Sequence, residues 1–310
     1  MKEYDYEKRI MGSDASISIV ASDQRVADSF ASKLFLLAEE EEAQFSRFKE
    51  TSELSRLNLE RSLVVSPNFM ETFLFSLELY RKSKGIFNPL VDISRFGYDA
   101  DISLVKGTHR EKRNYSSLYN IDMETVIIDK KRMTIQLQEG QKLDFGGFLK
   151  GHVAEKMVRA ASGCAGVVVN LGGDIFSNGS DVEGRPFVFS VDNPLSGEAR
   201  MSFVVSGKGI ATSGSYNRHW NFEGAPFHHI LDRSGTQNPV SDLLSVTVIA
   251  PTGREADALA TVALILGSTE GARVLKEKHL EYCFIRNDGV VDTSEHFPVV
   301  STLSPYSYVN

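Results

Sequence analysis

The sequence contains a segment whose carboxylate and hydroxyl groups could bind a divalent metal ion. In READALATVALILG, residues 254–267, a helix would place Asp257 and Thr261 one turn apart on the same face. Nearly every other direction of that helix is apolar, which predicts burial. A buried carboxylate is costly unless it is paired or bound to a metal, and Mg²⁺ prefers oxygen ligands. The pair also fits a structural role, in which Asp257 stabilises the first helical turn and the Thr261 hydroxyl bonds to the helix backbone.

A glycine-rich loop before another predicted helix could bind an anion. The loop opens the segment DFGGFLKGHVAEKM, residues 144–157. Gly146 and Gly147 would let the backbone approach a ligand closely. A helix that begins near Lys150 would point its free amide groups at an anion, and the lysine adds a full positive charge. The spacing is not that of a Walker A motif, and a tight turn without a ligand fits the same residues.

Two further segments combine a predicted strand with glycine. In VNLGGDI, residues 169–175, the glycines fit either a bend or bulge in the strand or a ligand contact. In GIATSGSYNRHW, residues 209–220, an apolar strand ends with Thr212, Ser213 and Gly214. Loops at strand ends often hold ligands, and a plain polar turn is the alternative interpretation.

The segment FHHILDRSGTQNP, residues 227–239, offers two candidate proton acceptors. In a strand, His228 and His229 would point to opposite faces, so only one of them could face a site. Neutral imidazole is the commonest proton acceptor near pH 7, which makes one histidine a candidate general base. A structural histidine is the alternative, and zinc is disfavoured because close Cys or further His ligands are missing from the segment.

Composition limits the class of protein. The chain has 310 residues, of which 42% are hydrophobic, and this predicts a globular protein with a sizeable core. A net charge of -7 argues against a nucleic-acid-binding protein. Cys164 and Cys283 lie in apolar contexts and are predicted to be free thiols. No apolar run is long enough for a secretion signal or a membrane span, so we expect no transmembrane segment. We expect a cytoplasmic location for the sequence as printed, or export if a leader has been removed.

The apolar periodicity predicts helices over residues 25–47, 68–82 and 254–266, and a further helix that begins near Lys150. From residue 125 onward, short β-rich runs follow one another, the first two as a hairpin. The predicted strands are TVIID, MTIQL, VVVNLGGDI, FVFSVD, MSFVVSG, GIATSG, HHILD and SVTVIA. This order predicts an α+β fold of layered mixed sheets with flanking helices, in one domain over residues 1–310.

Taken in order, these segments resemble the ApbE family of FAD:protein FMN transferases. The matching segments are Met11-Gly12, FSRFKETSELSRLN, FNPLVD, DFGGFLKG, VNLGGDI, ATSGSYNR, HHILDRSG and SVTVIAPTGREADALAT. The resemblance implies an ApbE/T-fold-like protein that uses FAD as substrate with Mg²⁺. It also implies transfer of FMN to a Thr or Ser hydroxyl of an acceptor flavoprotein, in a D-G-x-[ST]-G-A-[ST]-like motif, through a phosphoester bond with release of AMP.

The resemblance also implies roles for particular residues. Asp257 and Thr261 would be metal ligands, together with a main-chain oxygen at Gly147. His229 would be the general base, with His228 as the alternative. The residues expected to contact FAD are Met11, Phe48, Phe87, Asn88, Asp144, Lys150, Thr212, Ser213, Gly214 and Leu231.

The chain departs from the usual family pattern in places. Phe48 stands where Tyr is frequent and Asn88 where Asp is frequent, while Leu149 replaces a small residue and Arg233 a Pro. Phe48 keeps a ring for stacking but lacks a hydroxyl. Two other functions fit the same site: an FAD pyrophosphatase that releases FMN and AMP, and a non-catalytic flavin-binding protein. Storage alone would require neither a metal pair nor a base, which disfavours the second.

Overall fold

The computed structural model describes residues 1–111 and 118–302. The helices of these residues are α1 (Gln24–Phe45), α2 (Glu53–Glu60), α3 (Pro67–Lys82), α4 (Ile102–Val105), α5 (Leu149–Ala160) and α6 (Gly253–Glu277). The strands are β1 (Lys2–Ile10), β2 (Ser13–Ala21), β3 (Ser62–Val64), β4 (His109–Arg110), β5 (Ile127–Asp129), β6 (Thr134–Gln136), β7 (Gly166–Leu171), β8 (Asp174–Gly179), β9 (Val188–Asp192), β10 (Ala199–Val204), β11 (Gly209–Gly214), β12 (His219–Phe222), β13 (Ala225–His228), β14 (Leu243–Ala250), β15 (Glu281–Arg286), β16 (Val291–Thr293) and β17 (Val299–Thr302).

The chain forms two compact units. The first unit comprises Met1–Ala38, Phe148–Tyr216 and the described residues from Ser241 onward. The second comprises the described residues of Glu39–Gly147 together with Asn217–Val240. One domain over the whole chain stays a prediction.

An eight-stranded sheet forms the centre of the first unit, in the order β1-β2-β7-β8-β11-β14-β15-β16. Its neighbouring strands are all antiparallel. One face is covered by a three-stranded sheet, β17-β10-β9, whose Phe203 shares an apolar cluster with Ile210 and Ile249 of the large sheet. Helices α5 and α6 pack on the other face, against β7, β8, β11 and β14. These layers confirm the predicted α+β fold with flanking helices.

The segment VNLGGDI forms a hairpin, so the prediction of a single bent or bulged strand was wrong. β7 ends at Leu171, β8 begins at Asp174, and the two strands pair in antiparallel. Gly172 and Gly173 have φ values of 68° and 101°, in the region that favours glycine. Two residues with positive φ match the twist of a tight hairpin, and here they reverse the chain.

Helix α6 begins close to the predicted residue because its cap is encoded locally. The Thr252 hydroxyl accepts a hydrogen bond from the backbone N–H of Glu255 and donates one to the Glu255 carboxylate. The Thr252 side chain is therefore the N-cap of the helix, and Glu255 holds its hydroxyl in place. By length and composition α6 could cross a membrane, but 50% of its most apolar stretch is buried within the protein. Because it packs on the large sheet, α6 is a core helix.

The predicted end of this helix, at Gly267, is a break within α6. Gly267 has φ 77° and ψ 176°, which interrupts the helical geometry. The second part of the helix then restarts, and Asp242 accepts a hydrogen bond from the backbone N–H of Ser268 at 2.8 Å. The aspartate therefore caps the new start.

The described residues of the second unit form two small sheets and an aromatic core. The predicted hairpin is confirmed by β5 and β6, which pair in antiparallel, and β3 extends it. In the other sheet, β13-β12-β4, the indole N–H of Trp220 donates to the carbonyl of Phe96 at 2.7 Å. Trp220 packs in an apolar cluster with Tyr98 and Leu231. This cluster forms a local core for the loops that carry predicted site residues.

The segment HHILD is a strand only up to its first histidine, so that prediction was partly wrong. β13 ends at His228, and no strand occurs over residues 229–242. The Asn238 amide donates to the carbonyls of His228 and Ile230, at 2.7 Å in both cases. A side chain therefore satisfies backbone groups that a neighbouring strand would otherwise bind.

The cysteines agree with the prediction of free thiols. Cys164 and Cys283 are both free, and Cys283 is buried. Burial raises the pKa of the Cys283 thiol to about 12. It is therefore a protonated core residue near neutral pH.

Candidate functional site

Asp257 lies in the second turn of α6 and is only 5% exposed. Its Oδ2 accepts a hydrogen bond from the backbone N–H of Gly151 in α5, at 3.1 Å. The two helices touch here, because a Cβ at Gly151 would lie 2.2 Å from the carbonyl oxygen of Gly253. The carboxylate therefore lies at the first turn of a second helix, where free amides and the helix dipole stabilise negative charge.

Thr261 follows Asp257 by one helical turn and contacts a serine of the sheet. Its Oγ1 lies 3.0 Å from the Oγ of Ser213 on β11. Ser213 was predicted as an FAD contact, and the structure places it beside Thr261, one member of the predicted metal pair. The oxygen atoms of Asp257, Thr261 and Ser213 thus lie on the face of the sheet that α6 covers.

The two residues that flank Ser213 have different surroundings. Thr212 points to the opposite face of β11, because side chains alternate along a strand. Its hydroxyl lies 2.9 Å from that of Thr247, which is buried. At Gly214, a Cβ would lie 2.2 Å from the ring of Tyr216. Thr212 and Gly214 therefore do not join the group of oxygens around Thr261, and their predicted contact with FAD stays a prediction.

Lys150, in the first turn of α5, forms an ion pair with Asp174 at the start of β8. The two side chains are 14% and 3% exposed. A buried charge is costly unless an opposite charge compensates it. Each member of this pair compensates the other, and Asp174 therefore holds the Lys150 ammonium in place. Asp174 was not among the predicted site residues. Its position directly after Gly172 and Gly173, in a segment already singled out, was the available signal.

The glycine loop rests on a buried phenylalanine. A Cβ at Gly147 would lie 3.0 Å from the Phe87 ring, which is 5% exposed. Asp144 Oδ1 accepts a hydrogen bond from the N–H of Gly146 at 2.8 Å. Phe87 thus supports the loop from its buried side, and Asp144 fixes the turn.

Asn88 bonds to the backbone through both ends of its amide. Its Oδ1 accepts from the N–H of Leu90 at 3.0 Å, and its Nδ2 donates to the carbonyl of Ile121 at 2.8 Å. These bonds give Asn88 a structural role in the loop, beside its predicted role in ligand binding.

Arg47, absent from the predicted site, connects two residues that belong to it. Its guanidinium lies 3.2 Å from the Asp144 carboxylate and 4.3 Å from the centroid of the Phe48 ring. The ring of Tyr98 lies 4.5 Å away. Phe48 remains 44% exposed. Arg47 therefore holds an exposed aromatic ring by a cation–π contact, and a planar group could stack on that ring.

The two candidate bases differ in their surroundings. His228 Nδ1 accepts a hydrogen bond from the N–H of Ile230 at 3.3 Å. Burial, together with the nearby His219, lowers the pKa of His228 to about 4. His229 lies beyond the end of β13, and its backbone N–H donates to the carbonyl of Arg218 at 3.3 Å.

Met11 and Leu231 complete the predicted set. Met11 lies in the tight turn between β1 and β2, where its φ is 52°. Leu231 is 5% exposed and belongs to the apolar cluster of the second unit. Leu231 is therefore placed to support the loop after β13, and a direct ligand contact stays a prediction for both residues.

The residues of the first unit fit a magnesium ion better than a soft metal. No group of three or more His, Cys, Asp or Glu side chains able to hold a metal occurs within residues 1–111 and 118–302. Mg²⁺ needs fewer protein groups, because it keeps several waters and binds through one or two carboxylates together with substrate phosphates. Asp257, Thr261 and Ser213 provide one buried carboxylate and two hydroxyl oxygens. The ligand predicted at Gly147 belongs to the second unit and stays a prediction.

These layers, the buried Asp257 carboxylate and the two neighbouring hydroxyl groups define a class: an α+β protein with an oxygen-lined candidate metal site. A model of the ApbE family matches residues 11–284. The chain therefore belongs to the ApbE family, as the motifs predicted.

Curated relatives match most of the chain. It is 26% identical to the FAD:protein FMN transferase of Salmonella typhimurium over 305 residues, which cover 91% of the chain and 84% of that protein. It is 28% identical to the FAD:protein FMN transferase of Haemophilus influenzae, over 79% of the chain and 75% of that protein. The names of these relatives confirm the predicted enzyme class, which is that of the FAD:protein FMN transferases.

Solved structures share the fold. The ApbE protein of Thermotoga maritima superimposes with a TM-score of 0.83 at 21% identity, covering 95% of this chain and 97% of that one. The flavinyl transferase ApbE of Pseudomonas stutzeri gives a TM-score of 0.79 at 20% identity, covering 95% of each chain. These likenesses confirm the predicted fold.

Proposed function

We propose that the chain transfers FMN from FAD to a Thr or Ser hydroxyl of an acceptor flavoprotein, through a phosphoester bond, and releases AMP. The observation that carries the proposal is the buried Asp257 carboxylate, one helical turn before Thr261, whose hydroxyl contacts Ser213. A relative that matches 91% of this chain is named FAD:protein FMN transferase.

In this proposal Mg²⁺ is held by Asp257 and Thr261, with Ser213 beside Thr261 and a main-chain oxygen from Gly147. When bound, the ion would neutralise negative charge on the pyrophosphate of FAD. A carboxylate that accepts one N–H keeps further lone pairs, so the bond from Gly151 is compatible with metal binding by Asp257. The donor set is therefore chemically suited to the ion.

The acceptor hydroxyl must lose a proton as it attacks. Its oxygen forms a bond to the phosphorus of the FMN half, and the bond from that phosphorus to the bridging oxygen of AMP breaks. The proton passes to an imidazole, and AMP leaves with the bridging oxygen. Because the pKa of His228 is about 4, His228 is a weak proton acceptor near pH 7. This favours His229 as the base.

Other residues would bind and orient FAD. The exposed ring of Phe48, held by Arg47, provides a stacking surface for a planar ring system. Lys150 and the amino-terminal turn of α5 add positive charge for a phosphate, while Asp174 fixes the direction of the lysine side chain. These groups supply binding and orientation rather than bond breaking.

One assay distinguishes the candidate reactions. The purified chain is incubated with FAD, MgCl₂ and a flavoprotein domain that carries a D-G-x-[ST]-G-A-[ST]-like motif, and the acceptor is weighed by mass spectrometry. We expect a mass gain of one FMN group, and none for an acceptor whose motif Thr is replaced by Val. Free FMN and AMP with unmodified acceptor would support an FAD pyrophosphatase instead. Unchanged FAD would contradict both reactions.

A further inference from the structure

Helices α5 and α6 each supply a buried carboxylate that accepts a backbone N–H of the other helix. Asp257 of α6 accepts the N–H of Gly151 in α5, at 3.1 Å. In return, Glu155 of α5 accepts the N–H of Gly253 in α6 through Oε2, at 2.9 Å. Glu155 is 8% exposed and Asp257 5% exposed. Each acid follows the glycine of its own helix by four residues, so the arrangement is reciprocal.

Each bond satisfies a backbone N–H group in the first turn of a helix, where no partner is available within the helix itself. The N-cap residue of α5, Phe148, makes no side-chain capping bond, and Asp257 takes the N–H that a capping side chain would bind. In α6 the Thr252 hydroxyl binds the N–H of Glu255, which leaves the first helical N–H, that of Gly253, to Glu155. The four free amides of each helix start are thus met partly from the other helix.

The crossing allows little adjustment. A Cβ at Gly253 would lie 2.0 Å from the carbonyl oxygen of Gly151, and a Cβ at Gly209 of β11 would lie 2.6 Å from the Gly253 Cα. The start of α6 is therefore packed between a helix and a strand without intervening side chains. A carboxylate that holds Gly253 at this point fixes where α6 begins and the rotation of its first turns.

We propose that Glu155 is a positioning residue for the candidate metal pair, because it holds the α6 start from which Asp257 and Thr261 project. Glu155 itself touches neither the ion nor FAD in this proposal, which rests on the proposed function. The other oxygen of Glu155, Oε1, accepts two bonds from the Arg159 guanidinium, at 2.9 and 2.7 Å. Arg159 is 66% exposed, so its ion pair contributes little and serves as a control.

Two variants of equal length isolate the acceptor oxygen. Glu155→Gln and Glu155→Met both lose the charge and the Arg159 pair, but only Gln keeps an oxygen that can accept the Gly253 N–H. FAD binding is followed by fluorescence anisotropy as MgCl₂ is titrated, without acceptor protein. We expect E155M to raise the half-saturating Mg²⁺ concentration about tenfold over wild type, the low end of the range for residues that orient metal ligands, and E155Q to raise it less. Arg159→Gln should match wild type.

The outcomes separate the inference from the proposed function. If Asp257→Asn leaves Mg²⁺-dependent FAD binding unchanged, the metal site itself is wrong. If D257N abolishes that dependence while E155M titrates like wild type and lowers only the Tm, Glu155 is structural and the inference is overturned. Should E155M fail to fold, Glu155→Ala takes its place: a half-saturating concentration equal to that of R159Q overturns the inference, and a rise in E155A that is larger than that of E155Q supports it.

Discussion

The two compact units provide different chemistry. The predicted site residues of the first unit include carboxylate, hydroxyl and ammonium groups that a partner in another element fixes: Asp257 by Gly151, Thr261 by Ser213, and Lys150 by Asp174. Those of the second unit include aromatic rings and imidazoles on loops and strand ends, together with the polar side chains of Asn88 and Asp144. Phe48 is 44% exposed there, and Phe87 supports a glycine loop.

The difference predicts a division of labour. Groups for a metal and a phosphate need fixed geometry, and a helix pair packed on a sheet provides it. Groups that bind a planar ring or take a proton lie on loops, which aromatic clusters stabilise locally. We therefore expect variants of the first unit to abolish the reaction, and variants of the second unit to weaken binding or proton transfer.

Asp257→Asn should have the largest effect on the transferase. The Asn carbonyl oxygen can still accept the Gly151 N–H, so we expect a Tm close to that of wild type. It lacks the negative charge needed for Mg²⁺, and FMN transfer should fall by about 10³-fold, the rate equivalent of several kcal/mol. Acceptor mass spectrometry under single-turnover conditions measures the loss. Activity within tenfold of wild type would refute the assignment of the metal ligand and, with it, the contrast between the units.

The histidines of the second unit should differ from each other. His229→Gln removes the proposed base, and we expect FMN transfer to fall by about 10²-fold at pH 7. His228→Gln should lower it less than tenfold, because an imidazole with a pKa of about 4 contributes little as a proton acceptor near pH 7. The rate is measured from pH 5.5 to 8.5 at saturating FAD. If the rate of H228Q no longer fell at low pH while the rate of H229Q still did, His228 would be the base instead.

Local patterns predicted the elements that carry the candidate metal pair. An apolar surface on nearly all sides indicated α6 to within a residue at its start, and Gly267 marked the end of its first part. The two glycines of VNLGGDI were ambiguous, because the same residues serve a bulge in one strand or a hairpin between two. The segment HHILD was wrongly predicted to be a strand along its whole length. The side chain of Asn238, ten residues away from His228, bonds to the His228 carbonyl in place of a neighbouring strand.

Contacts between distant segments could not be predicted from one sequence. Glu155 binds Gly253 across 98 residues, and Asp257 binds Gly151 across 106. Their reciprocity depends on where two helices cross, and no local spacing encodes that crossing. Arg47 illustrates the same limit, because its contact with Asp144 exists only after both loops have folded. The motifs therefore indicated candidate site residues such as Lys150 and Asp144, but not Asp174 and Arg47, which contact them.

The smallest predicted effect is a loss of stability in acid, caused by one partly buried histidine in each unit. Burial, with Lys156 and Arg254 nearby, lowers the pKa of His152 in α5 from 6.5 to about 4, and the pKa of His228 is lowered to the same value. Between these pKa values the unfolded chain binds protons that the native chain does not, so stability falls as the pH drops. From pH 7 to 5 we expect each histidine to cost about 1–2 kcal/mol of unfolding free energy.

Urea unfolding at pH 7 and pH 5 tests this for wild type, His152→Gln and His228→Gln. Each variant should lose less stability on acidification than wild type, since glutamine does not titrate. If the units unfold in separate transitions, H152Q should reduce the acid loss of stability in one transition and H228Q in the other. A single transition that both variants protect equally would instead show that the two units unfold together. An acid loss as large as that of wild type in both variants would contradict the neutral burial of these imidazoles.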